Sequence, residues 1–339
     1  MHSIKRVAVR VVLVLLMVVG LQALVRLCYE KWSAQTVQSK LERKQLKGTI
    51  DTLYCGTSLT YYGFDPELLD EELGTSSFNL GTSAQPYIGT YYLIRETVEA
   101  NPVKQIYLTI SLPQLLRDEP GTASYVSAFE NMCSWKWKLA YLAAVGKEEV
   151  WTACLLYSTQ VESYLAWNTV TSNLVNKLFI RQVPESYVGR GLRTSEAVFD
   201  GQKKKNNRNN IWDGEAGLEQ VSSEAMCYLE KIADFCREEG IALTLVALPH
   251  SQVYTQQAGD LDDFHTVFSE KAQEWGAKFY DFNLYKDRLT VFTDDKFADD
   301  HHLNVAGGKT FSQLLAQVVM SDDPQEYFYE SMVQFHSQE

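Results

Sequence analysis

The sequence is short of basic residues, and this shortage excludes one class of partner. Its 31 Lys and Arg residues are outnumbered by 43 Asp and Glu residues, so the formal net charge is −12. A nucleic-acid-binding protein needs a basic surface that replaces the counterions of the phosphates, and we therefore expect no nucleic-acid partner. The one basic run, Lys203–Lys205, is followed by asparagines and is typical of a solvated loop.

The sequence also lacks the cysteine spacings of a metal site. None of the six cysteines forms a Cys-x-x-Cys pair. We therefore expect no structural zinc, no other metal and no cofactor. The spacing leaves disulfide connectivity open: Cys133 with Cys154 is one conceivable pair, and free thiols are the default.

A long apolar run near the N-terminus predicts a membrane anchor at residues 7–27. Two basic residues precede this run, which places residues 1–6 in the cytoplasm and the remaining chain outside. We expect a single-pass protein of the cell membrane with an extracytoplasmic domain. A cleaved signal peptide is the main alternative, but no Ala-x-Ala site follows the run. Cys28 follows a leucine rather than the small residue of a lipoprotein site.

After the anchor, residues 28–48 are polar and predict a stalk that lifts a domain off the membrane. Strand and helix signals then alternate through a domain at residues 49–322, which predicts an α/β fold with a central parallel sheet covered on both faces. The expected strands are Ile50–Tyr54, Ser77–Leu80, Ile106–Ile110, Ala242–Leu248 and Lys278–Phe282. The carboxyl edge of such a sheet is where ligands bind.

A helical insertion, rich in Trp and Tyr, interrupts the alternation at about residues 121–212. Aromatic side chains at helical spacing usually pack in a core, although some could line an acceptor groove because sugars stack on aromatic faces. Residues 323–339 form an acidic and aromatic tail to which the sequence assigns no function.

Two motifs at opposite ends of the domain predict a serine acyl-transfer site. Ser58 directly follows the first strand, and Asp299 precedes His302 by three residues at the start of the last expected helix. This spacing lets the carboxylate hold one imidazole nitrogen while the other faces the serine. Taken singly, each motif is typical of a turn or a helix cap. Their joint occurrence, serine first and histidine last, favours catalysis.

These motifs, in this order, resemble the SGNH (GDSL-like) hydrolase superfamily from about residue 50 to residue 320. Gly56-Thr57-Ser58 stands where the family usually has Gly-Asp-Ser, and Asn79-Leu80-Gly81 is similar to its second block. The serine motif lacks the second glycine of the Gly-x-Ser-x-Gly elbow, which argues against an α/β-hydrolase. The resemblance implies a flavodoxin-like three-layer sandwich, the SGNH hydrolase fold.

The resemblance also implies a role for each residue of the site. Ser58 would be the nucleophile, His302 the general base and Asp299 its orienting carboxylate, with the N–H groups of Ser58 and Gly81 forming the oxyanion hole. The family's third block, Gly-x-Asn after the next strand, is missing. Either Ser111 or Gln114 replaces the missing donor, or the hole is incomplete.

Within the superfamily, the short anchor and the Asp-x-x-His-Leu-Asn motif are similar to a membrane-anchored branch that includes DltD and the alginate O-acetylation proteins. This resemblance implies O-acyl transfer, with acetyl the expected group, to or from a cell-envelope polysaccharide beside a membrane-bound O-acyltransferase. The alternative is a non-catalytic subunit that binds polymer or docks on the acyltransferase. His250 follows the fourth expected strand, so it could contact substrate at the catalytic edge.

Overall fold

The computed structural model describes residues 2–32, 34–161, 167–202 and 211–332. The basic run Lys203–Lys205 lies outside these residues. The first helix, α1, spans His2–Tyr29. Its stretch Ile4–Tyr29 is long and apolar enough to cross a membrane, with a mean hydropathy of 2.5, and none of it is buried in the protein. A signal sequence has the same properties.

The centre of the domain is a five-stranded parallel sheet, as the alternation of strand and helix signals predicts. Its strands lie in the spatial order β2-β1-β3-β6-β7. The strands are β1 Thr52–Cys55, β2 Ser77–Asn79, β3 Gln105–Thr109, β6 Ala242–Ala247 and β7 Lys278–Asp281. Each differs from its expected bounds by at most two residues at either end. A separate antiparallel hairpin, expected only as loop, is formed by β4 Tyr187–Gly189 and β5 Leu192–Arg193.

Successive side chains of a strand point to opposite faces, so a buried parallel sheet needs apolar partners on both sides. Leu53 and Cys55 of β1 pack in one apolar cluster, whereas Tyr54 packs in the other. Residues of the helices Tyr87–Ala100, Ser223–Glu239 and Leu261–Glu274 belong to the first cluster, and residues of the helices Pro66–Leu73 and Val305–Met320 belong to the second. The α/β prediction is therefore confirmed.

Most of the α-helices are short and follow the strands closely. Gly240, in the left-handed conformation (φ 67°), ends the helix before β6, as its position in the sequence predicts. The helices after α1 are α2 Gln35–Gln45, α3 Ser58–Gly63, α4 Pro66–Leu73, α5 Tyr87–Ala100, α6 Leu112–Leu115, α7 Thr122–Asn131, α8 Trp135–Val145, α9 Glu148–Leu155, α10 Trp167–Val175, α11 Ser223–Glu239, α12 Gln252–Thr255, α13 Leu261–Glu274, α14 Arg288–Val291 and α15 Val305–Met320.

Single turns complete the chain. A π-helical turn, Asn176–Ile180, continues α10. The 3₁₀ turns are Tyr157–Gln160, Gly217–Gln220, Phe282–Leu284, Asp294–Lys296 and Pro324–Tyr327.

The predicted insertion consists of α7 to α10 followed by the hairpin. Its aromatic residues Trp137 and Tyr141 are buried, as expected for aromatic side chains at helical spacing, whereas Trp135 is exposed. Tyr164, which belongs to the same aromatic series, lies outside the described residues. The aromatic rings described in α7 to α9 pack within the insertion and against α5, not around the serine.

The expected stalk at residues 28–48 requires correction, because α2 packs against the domain. Arg43 is buried and donates to Glu96 at 2.8 Å and to the carbonyl oxygen of Asn131 at 2.6 Å. Glu96 also accepts the backbone N–H groups of Cys133 and Ser134. A buried guanidinium needs several acceptors, and the domain surface supplies them, so this segment is part of the domain wall rather than a spacer.

The described part of the tail also packs on the domain. The ring of Phe328 lies 6.0 Å from that of Tyr280 and 5.4 Å from that of Phe282. Residues 333–339 lie outside the described part of the chain. All six cysteines are described and free, so the conceivable Cys133–Cys154 pair does not form.

Candidate active site

Ser58 lies at the carboxyl edge of the sheet, as the first residue of α3 directly after β1. The turn depends on Gly56, whose φ of 148° disfavours any side chain. A Cβ added there would lie 2.9 Å from the Cβ of Thr109 on the neighbouring strand. The close approach of β1 and β3 therefore requires glycine two residues before the serine.

His302 lies in the loop that precedes α15. Asp299 Oδ1 accepts the backbone N–H groups of His301 at 3.0 Å and His302 at 2.8 Å, which fixes a tight turn. The helix is capped by Asn304, whose Oδ1 accepts the N–H of Gly307 at 3.0 Å. Because Asn304 caps the helix, the Asp299 carboxylate accepts from the backbone of the turn and from the His302 imidazole instead.

The structure brings the three predicted catalytic side chains together. Ser58 Oγ and His302 Nε2 are 2.7 Å apart. His302 Nδ1 lies 2.9 Å from Asp299 Oδ2 and 3.1 Å from Oδ1. A carboxylate only accepts hydrogen bonds, so Nδ1 carries the hydrogen and Nε2 is left to accept from the serine hydroxyl. This is the tautomer in which a histidine can act as a base toward serine.

The electrostatics favour an ionised Asp299. Partial burial by itself would raise the pKa of this carboxyl, but the hydrogen bond from His302, the charges of both neighbouring imidazoles and the backbone N–H of His301 hold the pKa well below its usual range. The carboxylate is therefore charged wherever the protein is folded near neutral pH, and it can stabilise an imidazolium at His302.

His301 forms a second pair beside this triad and also lies near the triad carboxylate, with 3.3 Å between its Nδ1 and Asp299 Oδ1. Its Nδ1 is 2.7 Å from Asp300 Oδ1, and its ring centroid is 4.0 Å from that of His302. The ring also faces Tyr254 at 5.9 Å. Adjacent residues with different carboxylate partners thus point their imidazoles into different parts of the site.

Gly81 lies close to the serine loop, where a Cβ would come within 2.7 Å of the carbonyl oxygen of Thr57. Its N–H, the predicted second oxyanion donor, is directed to Asn79 Oδ1 at 3.0 Å. The amide nitrogen of Asn79 donates to the carbonyl oxygen of Thr60 at 2.8 Å, which ties the second block to α3. Asn79 therefore positions the loop that contains Gly81, and its Oδ1 occupies the Gly81 N–H.

Ser111 and Gln114, the two candidates for the missing third-block donor, both line a pocket next to Ser58. Gln114 Nε2 donates to the carbonyl oxygen of Gln85 at 2.9 Å. Its buried Oε1 has no partner among the described residues. The bond to Gln85 uses one of the two N–H groups of the Gln114 amide, so Gln114 and Ser111 both remain candidate donors at this wall.

His250, the predicted substrate contact, lies beneath the catalytic edge rather than in a cavity beside Ser58. Its side chain is only 6% exposed, its ring stacks on Tyr254 at 4.4 Å, and Nδ1 bonds Asn283 Oδ1 at 3.1 Å. Burial lowers the pKa of His250 to about 4. The neutral ring supports the Tyr254 side chain, which in turn faces His301.

Two cavities flank the serine. One, of about 110 Å³, is lined by Thr57, Ser58, Leu59, Ala84, Gln85, Pro86, Ser111, Pro113, Gln114, Arg117, Pro120 and His301. The other, of about 470 Å³, is wider and is lined by Ser58, Tyr61, Tyr62, Ser83, Ala84, Ser195, Ala197, Ala298, Asp299 and His302. Ala84, in the left-handed conformation (φ 48°), separates them. Such a conformation costs energy for alanine and is common at binding sites.

The wide cavity contains residues that sequence reasoning missed. Tyr62 lies edge-on to His302 at 5.4 Å, and the guanidinium of Arg193 lies over the rings of Tyr61 and Tyr62 at 5.7 and 6.0 Å. Ser195 reaches the cavity from the segment after the hairpin, and its carbonyl oxygen accepts the N–H of Val305. Tyr61-Tyr62, three residues after the serine, was the available signal in the sequence.

The sequence predicts neither metal nor cofactor. Among the described residues, the donor atoms of Asp299, His301 and His302 lie within 4.8 Å of one another, close enough to hold a cation. Asp299 and His302 are the same residues that form the hydrogen bonds of the triad. A cation at this position would compete with the orientation of His302 toward Ser58.

No protein-family model and no curated protein matches this chain. Among solved structures, the chain is similar to a protein from Streptococcus pneumonia described as a platelet activating factor. The identity is 13%, the TM-score is 0.36, and the alignment covers 87% of this chain and 95% of that one. Similarity at this level carries no argument about the fold or the function of this chain.

Proposed function

We propose that the chain is a serine-dependent O-acyl transferase or esterase of the SGNH type. The observation that carries the proposal is the continuous hydrogen-bonded chain from Ser58 through His302 to Asp299, with distances of 2.7 and 2.9 Å. The three residues come from opposite ends of the domain, and their contact satisfies the geometric requirement for an activated serine.

The reaction follows the usual acyl-enzyme route. Ser58 Oγ bonds to the acyl carbonyl carbon while its proton moves to His302 Nε2, and the resulting imidazolium is stabilised by Asp299. The ester C–O bond then breaks, and the departing alcohol takes the proton from His302. An acceptor hydroxyl or water reverses these steps and releases the acyl group from Ser58. The oxyanion would be held by the N–H of Ser58, assisted by Gly81 or Ser111.

The topology supports the superfamily assignment. Numbering only the strands of the sheet, their order is 2-1-3-4-5, which is the flavodoxin-like order of a doubly wound sheet. Ser58 follows β1, the strand that lies between β2 and β3, and the Asp-x-x-His turn precedes α15. This arrangement agrees with a three-layer SGNH hydrolase fold.

The two cavities favour a small acyl group and a larger acceptor. The 110 Å³ pocket between Ser58 and Arg117 suits a short acyl chain such as acetyl. The 470 Å³ cavity, with Tyr61 and Tyr62 on its wall, suits a sugar ring, because sugars pack on aromatic faces. We therefore propose that the substrate is a cell-envelope polysaccharide or another acylated polymer, with a membrane-bound O-acyltransferase as a partner.

The location proposed for this reaction is the outer face of the cell membrane, with α1 as a single-pass anchor. The two basic residues before the apolar run favour a cytoplasmic N-terminus. Protease added to intact spheroplasts should digest the domain. Protease added to sealed inverted vesicles should leave the domain intact. The opposite pattern would reverse the topology.

The catalytic proposal is tested by labelling the full chain with a fluorophosphonate. The wild-type protein should be labelled and should hydrolyse p-nitrophenyl acetate, and Ser58→Ala should lose both by several orders of magnitude while remaining folded. Ser269→Ala is a matched control, because Ser269 lies 3.4 Å from His265 and that histidine lies 3.4 Å from Asp281, away from Ser58 in the chain. Undiminished turnover by folded Ser58→Ala protein would reject the assignment.

A non-catalytic subunit is the second candidate, and one observation favours it. The N–H of Gly81 is bonded to Asn79, so the candidate oxyanion donor of the second block is occupied. A folded wild-type protein that reacts with no fluorophosphonate but binds polymer or the acyltransferase would favour this role.

A further inference from the structure

The helical insertion holds the outer end of α1. Arg26 donates to both carboxylate oxygens of Glu130 at 2.6 and 2.7 Å. Gln22 and Ser158 exchange two hydrogen bonds, at 3.1 Å from the Gln22 side chain and at 3.0 Å from the Ser158 backbone. Polar side chains of an otherwise apolar helix thus find their partners on the domain, so this end of α1 is fixed to the insertion.

The end of the insertion runs along α1 toward its N-terminus. Asn173 donates to the carbonyl oxygens of Cys28 and Tyr29. Four residues later, Lys177 donates to the carbonyl oxygens of Arg26 and Leu27 at 2.9 Å. From α10 to the π-helical turn, the contacts therefore shift toward the N-terminus of α1, from residues 28 and 29 to residues 26 and 27. The apolar stretch of α1 lies in this direction.

This descending end carries an exposed apolar surface, the insertion patch. Phe179 is 79% exposed, the most of any large apolar side chain among the described residues. The patch is formed by Val175, Leu178, Phe179, Ile180 and Val183. Such a surface costs free energy in water and marks a contact with an apolar partner.

The level of the patch along α1 identifies that partner. A hydrocarbon core of about 30 Å takes about 20 residues of helix at about 1.5 Å each. Counted from Val7, such a span ends near Arg26, which is the level at which Lys177 touches α1. The patch follows at the boundary between acyl chains and headgroups. Arg181, whose guanidinium lies 5.8 Å from the ring of Trp32, provides a cation and an aromatic ring of the kinds enriched at this boundary.

We propose that the insertion patch enters the outer leaflet beside α1, so that the domain is seated on the bilayer by two contacts. The proposal rests on the anchoring role of α1 put forward above. Continuity of the patch with α1 argues for lipid as the occupant, because a surface next to a spanning helix and at its outer end meets acyl chains. The domain then lies directly on the membrane.

The test uses the full chain in phosphatidylcholine proteoliposomes, with a fluorophore attached to a single introduced cysteine in a Cys28→Ser, Cys133→Ser, Cys227→Ser background that removes the exposed and partly exposed native thiols. Labels at Phe179→Cys, at Leu13→Cys in α1 and at Met320→Cys, a 54% exposed residue at the end of α15, are compared. Quenching by spin-labelled acyl chains and by aqueous iodide reports the surroundings of each label.

We expect the labels at 13 and 179 to be quenched at least twofold more by spin-labelled lipid than the label at 320, and the label at 320 to be quenched by iodide. Iodide quenching at 179 with lipid quenching at 13 would overturn the proposal while leaving the anchor intact. Protection of 179 from both quenchers would identify a protein surface as the occupant and also overturn it. Lack of lipid quenching at 13 would reject the anchor and the proposal together. None of these readouts depends on turnover, so a failure of the catalytic assignment is detected separately.

Discussion

His301 and His302 are adjacent in the chain and their rings are 4.0 Å apart, but the shortest carboxylate contact of His301 is with Asp300 and that of His302 is with Asp299. Only His302 reaches Ser58. The side chains of neighbouring residues diverge, whereas residues three apart converge across a turn. The doubled Asp-Asp-His-His sequence therefore contains one histidine that contacts Ser58 and one that lines the cavity beside it.

His302→Ala should reduce ester turnover about as severely as Ser58→Ala, because it removes the base that accepts the serine proton. His301→Ala is the matched control and should retain most of the activity. Measured kcat values for p-nitrophenyl acetate check both expectations. If His301→Ala were inactive and His302→Ala active, His301 rather than His302 would be the base.

Asp299→Asn should impair turnover more than Asp300→Asn. An amide in place of Asp299 can hold His302 in the wrong tautomer and does not stabilise an imidazolium, a change that lowers rates by orders of magnitude in serine enzymes. Asp300 Oδ1 lies 2.7 Å from His301 Nδ1. Equal losses in the two variants would indicate that both carboxylates act on one histidine.

Gly81→Ala should lower kcat by about tenfold or more with little change in KM. The added Cβ would lie 2.7 Å from the carbonyl oxygen of Thr57, so the loop must shift and carry the Gly81 N–H with it. Gly121→Ala is the control, because a Cβ there meets nothing within 4 Å. If both variants keep wild-type kcat, Gly81 supplies no oxyanion donor and Ser111 becomes the residue to test.

The stability of the domain should fall in acid through His250. Burial lowers the pKa of this histidine from its ordinary 6.5 to about 4. Between those values the unfolded chain binds a proton that the folded chain does not, so stability decreases as the pH falls from about 6.5 to about 4, by at most about 3 kcal/mol. Urea unfolding of wild type and His250→Gln at pH 4.5 and 7 measures the contribution of His250 to the pH dependence of the free energy of unfolding. Parallel pH dependence in the two proteins would contradict it.

Arg43→Met should destabilise the domain by about 3 to 5 kcal/mol, because it leaves Glu96 buried without its cationic partner and detaches α2. Arg237→Met, which breaks the exposed pair with Asp234, should change the free energy of unfolding by less than about 1 kcal/mol. Denaturant titrations of both variants provide the comparison. A small effect at Arg43 would restore the interpretation of residues 28–48 as a free stalk.

The sequence predicts the parallel sheet well because strands and their connecting helices have local signals. The helix Tyr87–Ala100, for example, begins directly after Pro86 and ends before Asn101-Pro102, and both boundaries are local signals in the sequence. The proximity of Ser58 and His302 was expected from the order of the two motifs, which resembles the SGNH pattern, and the two side chains are 2.7 Å apart. The catalytic roles themselves stay predictions until the labelling and kinetic experiments are made.

The features that sequence reasoning missed depend on contacts between distant segments. The docking of α2 rests on Arg43 meeting Glu96, 53 residues away, and polar helix propensity gives no sign of it. The hairpin Tyr187–Arg193 is glycine-rich and irregular, which is typical of a loop, yet the carbonyl oxygen of Arg190 accepts the N–H of Asn79 beside the site. A local pattern cannot report an acceptor that another part of the chain provides.

The distance along the chain between Ser58 and His302, 244 residues, has a consequence for biosynthesis. During synthesis the nucleophile is made early, whereas its base and α15 emerge only near the end of the chain. The hydrogen bond between Ser58 and His302 can therefore form only after the last helix has docked. Under the proposed function, the chain would be exported with a latent site that is completed at the end of folding.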